Sequence, residues 1–344
     1  MVAIFKVNGF GDNVVFVPAV QALRSRLPGL AITLITTPEV GELYGGPLGP
    51  QRVITVPKHA FNKAYRRPWA LASWILRVRA LRPEACLVSY DQGSVAQLAS
   101  RWSGARVRIG ANPGNTRVQS SSTGEVPLPS DGCLATWNWD MARALARALG
   151  DTGEWEARPP APDLRHLASA PARPRGERKR IVVHPGAGKA LNQWPPQLFA
   201  SVAASLAGEF DVVWVSHGGT TGDAPRGATQ ASVRSIAELA GWLSGADLFL
   251  GNNSGPMHLA NALGCPGVAV TGSSALGWNP YWHRDRWSVL RHPNLYCAPC
   301  EAPNREPSGC ANLESPMACM KYWTPPMVEG ACRERLSRGD PGPP

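Results

Sequence analysis

The stretch Leu250-Gly251-Asn252-Asn253-Ser254-Gly255-Pro256-Met257-His258-Leu259-Ala260 places a strand end, a glycine-containing turn and a helix start in immediate succession. Leu248-Phe249-Leu250 reads as a buried strand, Asn253 or Ser254 as the N-cap, and Pro256 as a first-turn residue. The helix then runs through His258 to Leu263 until Gly264 ends it. A helix start of this kind presents backbone N–H groups without intrahelical acceptors, so its natural ligand is a phosphate or diphosphate. An ordinary capped helix in an α/β protein would show the same residues, and the choice between the two readings rests on the rest of the chain.

Two further segments repeat the pattern. Val2 to Val7 is a short apolar strand that runs into Asn8-Gly9-Phe10-Gly11-Asp12-Asn13 and then a helical pattern from Val14 to Leu27. Arg180-Ile181-Val182-Val183 runs into His184-Pro185-Gly186-Ala187-Gly188, a polar loop, and Trp194-Pro195-Pro196 opening a helix to about Leu206. Strands are expected at 2–7, 31–36, 52–56 and 85–89, and again at 180–183, 211–216, 247–250 and 267–271, with room for crossover helices between them. Alternation of this kind implies parallel sheets. A proline-rich basic stretch separates the two sets. The expected organisation is therefore an N-terminal α/β domain over 1–160, a stiff solvated linker over 161–179, a C-terminal α/β domain over 180–325, and a terminal helix and tail over 326–344.

These residues resemble glycosyltransferase family 9, the ADP-heptose:lipopolysaccharide heptosyltransferases, and the second-heptose type more than the first. The likeness rests on Gly11-Asp12 before an apolar helix, Arg106 to Gly110, His184-Pro185-Gly186-Ala187 with Trp194-Pro195, the run Gly251 to Pro266, and the C-terminal cysteine pattern. It spans most of residues 1–330. The resemblance implies a GT-B fold, two Rossmann-like domains facing across a cleft, and an inverting single displacement with a nucleotide-diphosphate sugar as donor. It assigns Asp12 as the base that takes the acceptor hydroxyl's proton. The alternative is that Asp12 only caps the helix beginning near Asn13.

For the departing diphosphate, the backbone N–H groups of Ser254, Gly255, Met257 and His258 are the expected donors, with Pro256 shaping the turn and the helix dipole assisting. This needs no catalytic cofactor. His258 is also a candidate for a hydrogen bond to a phosphate or sugar oxygen. His184, Gly186, Ala187 and Gly188 are expected to form the second wall, with Gly11 on the N-domain turn. Two positions depart from the family pattern. Asn192 stands where lysine is usual two residues before the Trp-Pro pair, and Asn253 where aspartate is usual. Lys189, in the same loop, is the candidate replacement for the missing cation.

Composition fits a two-domain enzyme. The chain has 344 residues, 44% of them hydrophobic, enough for two cores. No long uncharged apolar stretch and no leader pattern is found, which points to the cytoplasm, including the inner face of the membrane. The net charge of +10 calls for anionic partners. Nucleic acid is disfavoured because no helix-turn-helix, zinc-finger or aromatic RNA-binding signature accompanies the charge. Between Lys58 and Arg82 basic residues alternate with Phe61, Tyr65, Trp69, Trp74 and Leu76, in two helices divided by Pro68. This is the candidate surface for peripheral membrane contact or a lipid-linked glycan acceptor, and a solvated helix with one packed face is the alternative.

Of the eight cysteines, Cys86, Cys133 and Cys265 read as ordinary buried thiols. Cys297, Cys300, Cys310 and Cys319 have the spacing of a tetrahedral thiolate site for structural zinc or iron, with unmetallated thiols as the alternative. Two other functions stay open: a natural-product glycosyltransferase of the same family acting on a small-molecule acceptor, and a non-catalytic sugar-nucleotide-binding protein.

Overall fold

A computed structural model describes residues 1–90, 92–111, 122–169, 176–217, 222–302 and 307–338. The chain forms two compact units, Met1–Asp163 and a second beginning at Leu164.

In chain order, the first unit contains β1 (Val2–Lys6), α1 (Phe10–Val14), α2 (Val17–Arg26), β2 (Ile32–Thr36), β3 (Arg52–Thr55) and α3 (Lys58–Lys63). It continues with α4 (Pro68–Ala80), β4 (Ala85–Val88), α5 (Ser94–Arg101), β5 (Val107–Ala111), β6 (Gly124–Val126) and α6 (Leu134–Ala148). The sheet is wholly parallel in the order β3-β2-β1-β4-β5-β6. β1 lies at its centre, with Val2 opposite both Ile32 and Ala85. All five of its residues are buried, because helices cover both faces of a parallel sheet and leave no side for alternating polar residues. The expected single helix over 14–27 is two helices. Phe16 N–H bonds Asn13 O in a turn, and Pro18, which has no N–H to give, sits in the first turn of α2.

The second unit contains β7 (Arg180–His184), α7 (Pro196–Leu206), β8 (Asp211–Ser216), β9 (Thr229–Ser232), α8 (Ile236–Leu243) and β10 (Leu248–Asn252). α9 (Gly255–Ala262), β11 (Gly267–Thr271), β12 (Trp287–Arg291), α10 (Ala318–Lys321) and α11 (Pro325–Ser337) complete it. Its parallel sheet has the order β12-β11-β10-β7-β8-β9. Val328, Cys332 and Leu336 of α11 are buried in the same core as Phe199, Val202 and Leu206 of α7. The terminal helix is thus part of this unit's core; residues 339–344 of the expected tail lie outside the described residues.

All eight expected strands are present, and β5, β6, β9 and β12 add to them. The solvated character expected for 161–179 does not hold at its start. Arg165–Ser169 forms a 3-10 helix, and Leu164 and Leu167 are buried. Residues 170–175 of that stretch lie outside the described residues.

Candidate functional site

Each sheet has its central reversal of strand order between two neighbouring strands, β1 and β4 in the first unit and β7 and β10 in the second. Crevices for ligands form outside the carboxyl ends of strands at such points, because the loops there diverge to opposite faces of the sheet. The sequence-selected residues fall at these two places.

In the first unit β1 ends at Lys6 and the chain turns through Val7, Asn8 and Gly9 into α1. The turn is held from within. Asn13 donates its side-chain amide to Asn8 O at 3.1 Å and Gly9 O at 2.9 Å, and its Oδ1 accepts the Tyr44 hydroxyl at 2.7 Å. Gly9 is the N-cap residue, and no side chain caps the helix. Asp12 is therefore inside the first turn, and the capping reading does not fit it. Its Oδ1 instead accepts a 2.6 Å hydrogen bond from the Tyr90 hydroxyl. Burial first, and the Asp12 charge second, push the Tyr44 hydroxyl well above the usual phenol range, so Tyr44 stays a neutral donor. Gly11 lies beside Asp12 in the same turn.

In the second unit the reversal brings the end of β7 beside the end of β10, with His184 level with Gly251. Gly251 is required there: a Cβ would stand 2.9 Å from His184 O and 2.7 Å from the Phe249 ring. Asn252 ties the two loops together. Its amide donates to Pro185 O at 2.8 Å, and its Oδ1 accepts Trp194 N–H at 2.8 Å. This fixes Gly186 to Gly188 beside the start of α9. Asn252 was not among the residues singled out, although its place as the last residue of β10 marks it.

Ser254, not Asn253, occupies the N-cap position of α9, and its hydroxyl donates back to Asn252 O at 3.2 Å. Asn253 turns its amide to Trp278 O at 3.1 Å. The His258 N–H is engaged by Ser254 O at 3.3 Å, which removes it from the expected set of phosphate donors. Pro256 has no N–H, so Gly255 and Met257 supply the first-turn N–H groups whose acceptors lie outside the helix. At the far end Gly264, at φ +77°, closes the helix with paired bonds from Gly264 N to Asn261 O and Cys265 N to Ala260 O. His184 is buried, and desolvation lowers its pKa to about 4, so the ring is neutral at physiological pH.

Lys189 and Asn192 form one network with Glu301, which is buried. The Lys189 ammonium pairs with one Glu301 oxygen, and the Asn192 amide donates to the other at 3.3 Å. Asn192 Oδ1 accepts Ser273 Oγ at 2.9 Å and Ser274 N–H at 3.1 Å. Lys189 is thus already committed to a carboxylate, and a phosphate would have to compete for it. Neither Glu301 nor Ser273 belongs to any motif in the sequence.

Glu301 directly follows Cys300. The side chains of Cys297, Cys300, Cys310 and Cys319 line one cavity of about 10 Å³, room for one small occupant. Met317 N–H donates to Cys310 Sγ at 3.3 Å. Burial first raises the Cys300 and Cys319 thiols, and repulsion from the other cysteines adds to it. All eight cysteines are free thiols. As arranged, no group of three or more His, Cys, Asp or Glu among the described residues is set to hold an ion. The donor set and its convergence suit a thiolate-bound metal, and ligation would require the four sulfurs to draw together.

The stretch from Lys58 to Arg82 carries seven Lys and Arg and no acid. Its aromatic residues divide between two roles. Phe61 is buried with Trp74 edge-on at 5.1 Å, whereas Trp69 and Leu76 are 74% and 64% exposed. Leu76, Arg79 and Arg82 line a groove with Ser103 and Gly104. No helix among the described residues is long and apolar enough to cross a membrane.

Two parallel six-stranded sheets, each with its reversal carrying a glycine turn, give the α/β architecture of the GT-B fold. The structure is similar to Escherichia coli heptosyltransferase WaaC with ADP, at 16% identity over 97% of this chain and 99% of that one, with TM-score 0.69. It is also similar to E. coli ADP-heptose lps heptosyltransferase II, at 16% identity, 98% of each chain and TM-score 0.65. The iron-containing dodecameric glycosyltransferase TibC of enterotoxigenic E. coli aligns at 13% identity over 98% of this chain and 76% of that one, with TM-score 0.55. At such identities these likenesses carry the fold. No curated protein sequence matches the chain. Residues 143–307 match the model of glycosyltransferase family 9 (heptosyltransferase).

Proposed function

We propose that this glycosyltransferase moves heptose from ADP-heptose to a hydroxyl of a lipid-linked core glycan with inversion at the anomeric carbon. The observation that carries this reading is the start of α9 at the second unit's strand reversal, where Gly255 and Met257 N–H groups and the helix dipole offer an anion site between small residues. Asp12 takes the proton of the acceptor hydroxyl. The freed oxygen electron pair forms the bond to the anomeric carbon as the bond from that carbon to the diphosphate oxygen breaks and leaves its pair on ADP. Ser254, Gly186, Ala187 and Gly188 line the approach, His258 supplies a polar contact, and the neutral His184 ring supplies another without adding charge.

The basic surface between Lys58 and Arg82, with Trp69 and Leu76 exposed, suits an anionic acceptor presented at the inner face of a membrane. The four cysteines of the 297–319 segment hold a structural zinc or iron that fixes the loop carrying Glu301. TibC, a protein of the same fold, is itself described as iron-containing. Elemental analysis of protein purified without chelator is expected to find about one zinc or iron per chain. Metal-free protein of full stability removes the site.

A second reading is favoured by Asn192, whose amide is spent inside the protein where a lysine could meet a diphosphate. In that reading the enzyme accepts a different nucleotide sugar and a small-molecule acceptor. A third, binding without turnover, follows if the same change marks lost catalysis. ADP or UDP release from a panel of nucleotide sugars, with heptose-deficient lipopolysaccharide core as acceptor, separates them. Release only from ADP-heptose upholds the first reading, release from another donor selects the second, and binding without release selects the third.

A further inference from the structure

We infer that Tyr90 is a positioning residue for catalysis, holding the Asp12 carboxylate in one orientation from a mount built around a buried lysine; the inference rests on the assignment of Asp12 as the base. β4 pairs with β1 so that Val88 lies opposite Phe5, and Ser89 N–H extends the ladder to Phe5 O at 3.2 Å. Tyr90 therefore emerges at the carboxyl end of β4, beside the turn that carries Asp12. Its backbone is held by Gln92, whose amide donates to Tyr90 O at 3.1 Å while its Oε1 accepts Val7 N–H at 2.9 Å. The loop after β4 is thereby tied to the loop after β1.

The ring is held by two contacts. It stacks on Trp137 with centroids 5.5 Å apart and planes 10° from parallel, and the Trp137 indole donates to Val126 O at 2.8 Å. The ammonium of Lys6 lies over the ring, 3.8 Å from its centroid. Lys6 is wholly buried, and its ammonium donates to Ser89 Oγ at 3.1 Å. A lysine is rarely placed this deep unless its charge is compensated, and here the face of Tyr90 provides part of that compensation. The cation draws electron density from the ring and so strengthens its O–H as a donor. That O–H makes the 2.6 Å bond to Asp12 Oδ1, in the range of charge-assisted O–H···O⁻ contacts. Oδ2 is left for the acceptor; a Cβ at position 9 would stand 3.6 Å from it, and Gly9 leaves that space open.

A fixed carboxylate raises the fraction of encounters in which Oδ2 faces the acceptor hydroxyl, which acts on turnover and not on substrate binding. The step assigned to Asp12 is unchanged: Tyr90 keeps its own proton throughout.

The test is Tyr90→Phe, which removes one oxygen and keeps the ring in contact with Trp137 and Lys6. With ADP-heptose as donor and heptose-deficient lipopolysaccharide core as acceptor, kcat for ADP release is expected to fall about tenfold, the scale of one charge-assisted hydrogen bond, with both KM values within about twofold. In an Asp12→Asn background the same change is expected to have no further effect on the residual rate. Wild-type kcat in Tyr90→Phe, or a loss confined to KM or to thermal stability, overturns the inference while leaving Asp12 as the base. Wild-type kcat in Asp12→Asn overturns the base assignment and the inference with it. A wild-type protein releasing no ADP from this donor counts against the function itself. The Tyr90–Asp12 bond is then read by carbon NMR of protein labelled at tyrosine Cζ: the Tyr90 resonance is expected to move in Asp12→Asn, and an unmoved resonance overturns the pairing.

Discussion

The two strand reversals share a topology and differ in what they present. In the first unit the helix after the central strand is five residues long, and the crevice is furnished by side chains: Asp12, Tyr90 and, behind them, Lys6. In the second, the helix is eight residues long, and Asn252, Asn253 and Asn192 turn inward to tie loops together, leaving backbone N–H groups and small residues facing out. Under the proposed function the same crossover geometry serves two purposes. A proton acceptor requires one fixed carboxylate, whereas an anion spread over several oxygens is met best by a helix terminus and chain that can approach closely.

The sharpest way to break this contrast is Asp12→Asn. If the first reversal is the chemical one, turnover falls at least about a hundredfold while ADP binding measured by calorimetry is unchanged. A weakened ADP affinity would instead place both functions in both units.

His184 offers the next largest effect, on stability. Its pKa is about 4 in the folded protein against 6.5 unperturbed, so the unfolded chain binds the proton first as pH falls. Stability is therefore full above pH 6.5, declines between 6.5 and 4, and loses about 3 kcal/mol from this group. Urea titrations at pH 7 and pH 4.5 are expected to show a smaller decline in His184→Gln than in the wild type. An equal decline in both would assign the acid sensitivity elsewhere.

Gly251→Ala tests whether the second reversal depends on close backbone approach. The added Cβ would meet His184 O at 2.9 Å, so about 1–3 kcal/mol of stability should be lost, along with ADP affinity. Retained affinity in a destabilised protein would separate the β7–β10 approach from donor binding.

The smallest effect is expected at Glu301. Glu301→Gln removes the charge that engages Lys189, so ADP should bind about threefold to tenfold more tightly as that ammonium becomes available to phosphate. Unchanged affinity would show that Lys189 lies out of reach of the leaving group and that the α9 terminus bears its charge without help. Asn192→Lys sharpens the result, since a lysine there would pair with Glu301 and free Lys189 in the same way.

Much of the molecule was legible in the chain. Buried parallel strands are short continuous apolar runs, so β1, β2, β4, β7, β8, β10 and β11 stand out, each followed by a turn or helix signal. β9, Thr-Gln-Ala-Ser with one buried residue, does not: an edge strand is stabilised by its neighbour's hydrogen bonds and needs no apolar run of its own. Asp12 and the α9 start were visible because strand, glycine and helix cap follow one another locally. Phe16-Val17-Pro18 also carried a break that a single apolar periodicity over 14–27 concealed.

What the chain order alone determined, then, was the number of α/β units, the glycine turns after the central strands, and the residue types placed there, to which the proposed function gives a proton and an anion. Tertiary structure decided which of those groups are available. It gave Asp12 to Tyr90, 78 positions away, Lys189 to Glu301, 112 positions away, and the amide of Asn252 to Pro185. It also gathered four cysteines around one cavity and divided the 58–82 segment into an inward pair and an outward one. The physical reason is common to all of these. Local signals report backbone conformation, which is set by neighbours in sequence. The orientation and charge state of a side chain are set by whatever the sheet order brings alongside it.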